Sequence, residues 1–177
     1  MREINPQTFT AYASQLKMSA NLRRRLRPSA AVDIATNNWQ HFELLGTPTK
    51  DGNAGILFIE LHNTLYATTY ELAPINSTPT GRAKPVICDF CKTWQSGGRT
   101  ASITFRTKAR SLDSVSFLCC ADLLCSLHVR DKTNASKIAR TQLREHLAPE
   151  QRVDRLQHRL ADLVTQLALV PLSTGSE

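Results

Sequence analysis

The chain is poor in aromatic residues, 6% of its 177, and carries only seven glycines. It has no run near the roughly 18–20 apolar residues that a membrane span needs. Its first residues, "MREINPQTFTAYASQL", lack the apolar core of a signal peptide. A cytoplasmic location is therefore expected, where thiols stay reduced. No glycine loop that could cradle phosphate, no His-x-x-x-His pair and no carboxylate dyad in a recognisable frame is present. The histidines stand apart, at positions 41, 62, 128, 146 and 158. An enzyme with a small-molecule substrate is not expected. Internal repeats and low-complexity tracts are absent too.

What is present is ordinary for one domain, or a small domain with an appendage, at 41% hydrophobic and 21% charged residues. Such a length buries a core without needing disulfides. The net charge of +7 is unevenly spread. Residues 88–147 hold ten Lys/Arg against five Asp/Glu, and residues 1–45 six against three, including "RRRLR". Residues 46–87 are balanced at three of each, and 148–177 carry three against four. A basic face attracts nucleic acid or an acidic protein surface, although it also serves plain solubility.

Along the chain, Phe9, Ala13 and Leu16 in residues 6–17 are spaced as one helix face. "NLRRRLRP" should lose any helix at Pro28. "NNWQHFELLG" reads as an apolar knot closed by Gly46. Asp51-Gly52 is the expected hairpin turn between that knot and two strands, "GILFIEL" and "TLYATTYEL". Proline and glycine mark residues 73–85 as a loop. "SITFRTKA" (102–109) and "SVSFLC" (114–119) alternate like half-buried strands. "ADLLCSLHVRD" (121–131) reads as a helix with Leu123, Leu124 and Leu127 on one side. The clearest helix is the last. Val153, Leu156, Leu160, Leu163, Val164 and Leu167 form its stripe, Pro149 its first turn, and Glu150 and Asp154 its acidic start. The tail "PLSTGSE" should fray.

All five cysteines sit in two clusters, "VICDFCKTW" and "FLCCADLLCSLHVR". An odd number in a reducing compartment fits a disulfide framework poorly. A redox Cys-x-x-Cys belongs at a helix start, whereas "QSGG" follows here, and a nucleophilic cysteine would need a histidine partner. Cys88-x2-Cys91 after strand-like "KPVI" reads as a zinc knuckle. Cys120 and Cys125, just before and inside the next helix, would bring a second pair to the same ion, the helix N-terminus favouring thiolates. Knuckle, hairpin and helix make a treble clef, and four sulfurs close a structural site for one zinc with no open position. Neighbours on a strand face opposite ways, so Cys119 is expected to be a small buried hydrophobe and Cys120 the ligand, with the reverse as the alternative.

"LCCADLLCSLHVR" resembles the "YICADLxCSLYVR" signature of the elongation-factor-G-binding, FusB-type treble-clef family. "ICDFCKTW" is similar to that family's first knuckle, "NNWQHFELLG" to its "WDxLDFLGW" element, and "PEQRVDRLQHRLADLV" to its closing helix. Together these span about residues 37–168. The match carries the metal ligands onto Cys88, Cys91, Cys120 and Cys125, and the rest of the signature onto Ala121, Asp122, Ser126, Leu127, Val129 and Arg130. His128 stands where an aromatic is usual, and Asp131 where glycine is common. The resemblance implies an N-terminal helical extension (1–36), a treble-clef zinc-finger domain (37–170) and a flexible tail (171–177). The short extension is similar to family members unrelated to fusidic acid resistance.

The fold expected is thus α+β, a small antiparallel sheet with a four-cysteine zinc treble clef and a packing C-terminal helix. The function implied is a non-enzymatic adaptor that binds elongation factor G, the ribosome and its RNA, or both. Direct nucleic-acid binding is the alternative. Candidate contacts are Arg106, Lys108, Arg110, Arg130 and Lys132, with Phe90 and Trp94 as apolar anchors on the knuckle.

Overall fold

A computed structural model describes residues 1–35, 38–75, 86–95, 97–106, 113–143 and 145–173. The order begins α1 (Pro6–Ser14), α2 (Ala20–Arg25), α3 (Ala30–Ala35), β1 (Leu44–Pro48), β2 (Ala54–Leu61) and β3 (Thr64–Pro74). It continues β4 (Val86–Ile87), β5 (Trp94–Gln95), β6 (Thr100–Arg106), β7 (Ser114–Cys120), α4 (Cys125–His128), α5 (Asn134–Leu143) and α6 (Pro149–Gln166). The five long strands form one antiparallel sheet in the order β1-β2-β3-β6-β7, and β4 and β5 make a separate ribbon. The fold is α+β, as expected. Among the described residues no helix is long and apolar enough to cross a membrane.

The expected hairpins form where turn chemistry allows. Gly52, at φ +75°, lies in the β1–β2 turn, where only glycine is free of strain. His62 and Asn63, both left-handed, make the two-residue β2–β3 turn. The apolar knot does not close at Gly46. Trp39–His41 forms one 3₁₀ turn and the chain then runs straight through Gly46 as β1.

Both faces of β2 are covered, so it reads as an unbroken apolar run rather than an alternation. On one face Leu57, Ile59 and Leu61 share a core with Leu156, Leu160 and Leu163 of α6 and with the cysteines. On the other, Ile56 and Phe58 meet Phe9, Tyr12 and Ala31 of the N-terminal helices. Phe9 meets Phe58 edge-on at 5.7 Å. Asn5 caps α1 by accepting from the Thr8 N–H at 2.9 Å, and Pro6 takes the first helical position. α2 ends at Arg25, ahead of Pro28. The first three residues of the tail do not fray. The Leu172 N–H donates to the Leu65 carbonyl at 2.8 Å, on the β3 edge that β6 leaves uncovered, and the Ser173 N–H donates to Gln15 Oε1 at 3.1 Å.

Two helical expectations change. The helix expected over 121–131 is a single turn, α4, and Leu123 precedes it in a left-handed turn at φ +53°. α5 carried no sequence expectation. Its start is marked by Thr133, whose hydroxyl accepts from the Ser136 N–H at 3.2 Å.

Candidate metal centre

The ribbon β4–β5 closes around Cys88–Thr93. Lys92 adopts φ +58°, its N–H donates to the Cys88 carbonyl at 3.0 Å, and the Cys88 N–H donates to the Thr93 carbonyl at 3.1 Å. Asp89 fastens this knuckle to β7. Its N–H donates to the Leu118 carbonyl and its carboxylate accepts the Leu118 N–H, both at 2.8 Å. β7 delivers Cys120 at its end. The chain then turns through Leu123, and the Asp122 carboxylate accepts the Leu124 N–H at 3.0 Å, so that Cys125 opens α4.

The result is a buried cluster of four sulfurs, Cys88, Cys91, Cys120 and Cys125, all within 4.8 Å of one another. Cys88 and Cys125 lie 3.7 Å apart, and Cys91 and Cys120 3.6 Å apart. Zinc–sulfur bonds of about 2.3 Å in a tetrahedron place neighbouring sulfurs about 3.8 Å apart. The spacing fits one zinc and excludes disulfides, whose sulfurs lie about 2.05 Å apart. Gln95, itself buried, donates from Nε2 to Cys120 Sγ at 3.3 Å, orienting that sulfur from outside the cluster.

Electrostatics point the same way. Burial raises the Cys91 thiol pKa, but bonds from Cys120, Cys125 and Cys88 outweigh this and hold it well below the ordinary thiol value. Cys125 moves the other way, pushed up by the same neighbours and by burial. Four buried thiolates at this spacing repel one another too strongly to be charged together on their own. A dication removes that conflict. Cys119 stands outside the cluster, opposite Ala101 on β6. Burial pushes its thiol far up, which keeps it a protonated, inert, small hydrophobe.

The signature after Cys120 binds the centre to the rest of the fold. The Ser126 hydroxyl accepts the N–H groups of Glu43 and Leu44, at 3.0 and 3.1 Å, where β1 begins. Val129 enters the core beside the cysteines, and Leu127 packs against the other core cluster. Leu123 fills the space where a side chain on Gly46 would stand, 2.3 Å from an ideal Cβ. Asp131 sits at φ +57°, a conformation natural to glycine, and its carboxylate takes Arg152 of α6 in a forked pair at 3.0 and 2.6 Å. The aspartate thus keeps the turn and adds an anchor that glycine lacks. His128 is buried, with Nε2 3.4 Å from Asp122 Oδ2. Burial lowers its pKa, but Asp122 and Cys91 outweigh that and push it up to about 9.

Several expected partner contacts are placed elsewhere. Phe90 is fully buried, its ring 5.6 Å from that of Phe117, so it stabilises the knuckle from inside and is no surface anchor. Trp94 is half-buried on β5. Arg130 is turned inward, its side chain only 17% exposed, and it forks onto the buried carboxylate of Glu43 while donating to the Ser126 carbonyl at 2.9 Å. Sequence alone could not show that Glu43, 87 residues away, lies under it. Arg106 is 72% exposed and meets Glu71 at 3.1 Å, and Lys132 is exposed. Lys108 and Arg110 lie outside the described residues. Two exposed apolar side chains that sequence did not single out, Ile87 and Leu118, flank the Asp89 tether.

A family model described as the FBP C-terminal treble-clef zinc-finger matches residues 17–167. No curated protein and no solved structure matches the chain.

Proposed function

The chain belongs to the FBP C-terminal treble-clef zinc-finger family, and from that premise we propose that it is a non-enzymatic adaptor that docks on elongation factor G, alone or on the ribosome. The observation that carries the reading is the closed, buried four-sulfur centre, inside the part of the chain the family model covers. Such a centre offers no open coordination position and holds a surface in shape. The family's name points to the factor as partner, and the excess of positive charge over residues 88–147 suits an anionic surface. Arg106 and Lys132 supply exposed charge, and Ile87 with Leu118 supplies apolar area beside the knuckle in place of Phe90.

Calorimetric titration of the zinc-loaded protein into elongation factor G tests this. Saturable binding is expected, weakened at least about tenfold by Ile87→Asp with Leu118→Asp, since charge at an interface core is costly. No binding to the factor, together with binding to ribosomal RNA fragments that falls steeply with salt, would replace this reading with direct RNA recognition.

A further inference from the structure

His128 is completely buried, yet neither of its ring nitrogens makes a well-formed hydrogen bond, Asp122 Oδ2 standing 3.4 Å from Nε2. An unsatisfied buried imidazole costs stability, and native structures keep few such groups without a use. Its surroundings suggest one. Ligand atoms of Cys120, Asp122 and His128 all lie within 4.8 Å of one another. Cys91 Sγ lies 3.6 Å from Cys120 Sγ, the sulfur the imidazole neighbours. The imidazole therefore stands at the Cys120 corner of the tetrahedron, which shares an edge with Cys91, and Cys88 and Cys125 form the opposite edge.

We propose that His128 is a reserve zinc ligand, which takes the position of Cys91 or Cys120 when either thiolate is lost to oxidation, alkylation or mutation. Zinc–nitrogen bonds are about 2.0–2.1 Å long, so the ring must swing inward from its place beside Cys120 into the vacated corner to complete the set. One ring nitrogen would give up its proton and hold the metal, while the Asp122 carboxylate, 3.4 Å from Nε2, would hold the other N–H, as second-shell carboxylates do for ligating histidines. The replacement set, three sulfurs and one nitrogen, is an ordinary structural zinc site.

The inference rests on the four-cysteine zinc assignment, and the test separates the two. Zinc per chain is measured on the full-length protein and on Cys91→Ser, Cys91→Ser/His128→Phe, Cys88→Ser and His128→Phe. Wild type and His128→Phe should each hold one zinc, Cys91→Ser should keep it, and Cys88→Ser should lose it. Adding His128→Phe to Cys91→Ser should weaken zinc binding about tenfold or more, a change of the size seen when ligand support is removed. Cobalt substituted into Cys91→Ser should move the d–d bands to higher energy, as nitrogen replaces sulfur. A wild type without zinc removes the assignment itself. Zinc in wild type but equal loss from both Cys91 variants, or equal retention by both, overturns only the reserve ligand. If Cys91→Ser fails to fold, wild type and His128→Phe are each alkylated at low reagent. Native mass spectrometry with peptide mapping then reads zinc on chains modified once, at Cys91 or Cys120. Retention in wild type alone supports the proposal, and equal loss refutes it.

Discussion

Replacing Arg130 with alanine should damage stability rather than binding. Its guanidinium donates from Nη1 to Glu43 Oε2 at 2.8 Å and from Nη2 to Oε1, and the Glu43 side chain is only 8% exposed. Removing one partner of such a pair leaves a carboxylate desolvated without compensation, which costs about 3–5 kcal/mol when burial is complete. Arg130 keeps some exposure, so water can reach part of the vacated space and the lower end, about 3 kcal/mol, is expected. Loss of the bond to the Ser126 carbonyl falls within that figure. For a chain of this length the melting temperature should fall by about 6–12 °C. Thermal and urea unfolding would be followed at one fixed free-zinc concentration, because bound metal contributes to apparent stability. Arg130→Lys should recover part of the loss, since an ammonium cannot fork onto both oxygens. Glu43→Gln combined with Arg130→Ala should recover more, because no stranded charge remains. An Arg130→Ala protein that unfolds like wild type but loses its partner would refute the assignment and return Arg130 to the surface.

Cys125→Ser should abolish stoichiometric zinc binding and unfold the segment around residues 86–130, read by elemental analysis and circular dichroism, whereas Cys119→Ser should keep one zinc per chain. Gly46→Ala should destabilise by about 1–3 kcal/mol in denaturant melts, because the new methyl collides with the Leu123 side chain 2.3 Å away. Glu60 gives a pH dependence. Burial raises its pKa, but the Arg2 backbone N–H and guanidinium outweigh this and hold it below its ordinary value. A depressed carboxyl contributes stability above its unfolded pKa of about 4.3 and loses it as pH falls through the folded value. Glu60→Gln should therefore cost stability at neutral pH and less below about pH 4, and an equal loss at both would refute the pairing.

Much of this protein was legible because short-range rules apply to it. The stripe of α6, with Pro149 at its start, follows from helical spacing alone. The strands β2 and β3 and the Asp51-Gly52 turn follow from composition and from glycine's freedom at positive φ. The two cysteine clusters carried the metal centre, since a knuckle turn needs only local geometry to aim two sulfurs at one point. The one-turn α4 was less legible. Leucines at 123, 124 and 127 imitate a helix face, but Leu123 is drawn into a left-handed turn by its seat on Gly46 in a distant strand.

What tertiary structure alone decided is which charged and aromatic residues face water. Arg130 and Arg106 look alike in sequence, yet one is committed to Glu43 and the other stays exposed. Phe90 has a surface-knuckle position in sequence, yet Phe117 on β7 gives it a core. The isolated His128 carries no spacing signal. Only the folding of β7 and α4 around the sulfurs brings it, with Asp122, to the edge of the metal centre. Side-chain periodicity and turn chemistry act over a few residues and can be read directly. Burial and pairing are set by partners tens of residues away, so they are settled only when the sheet, the zinc module and the last helix close on one another.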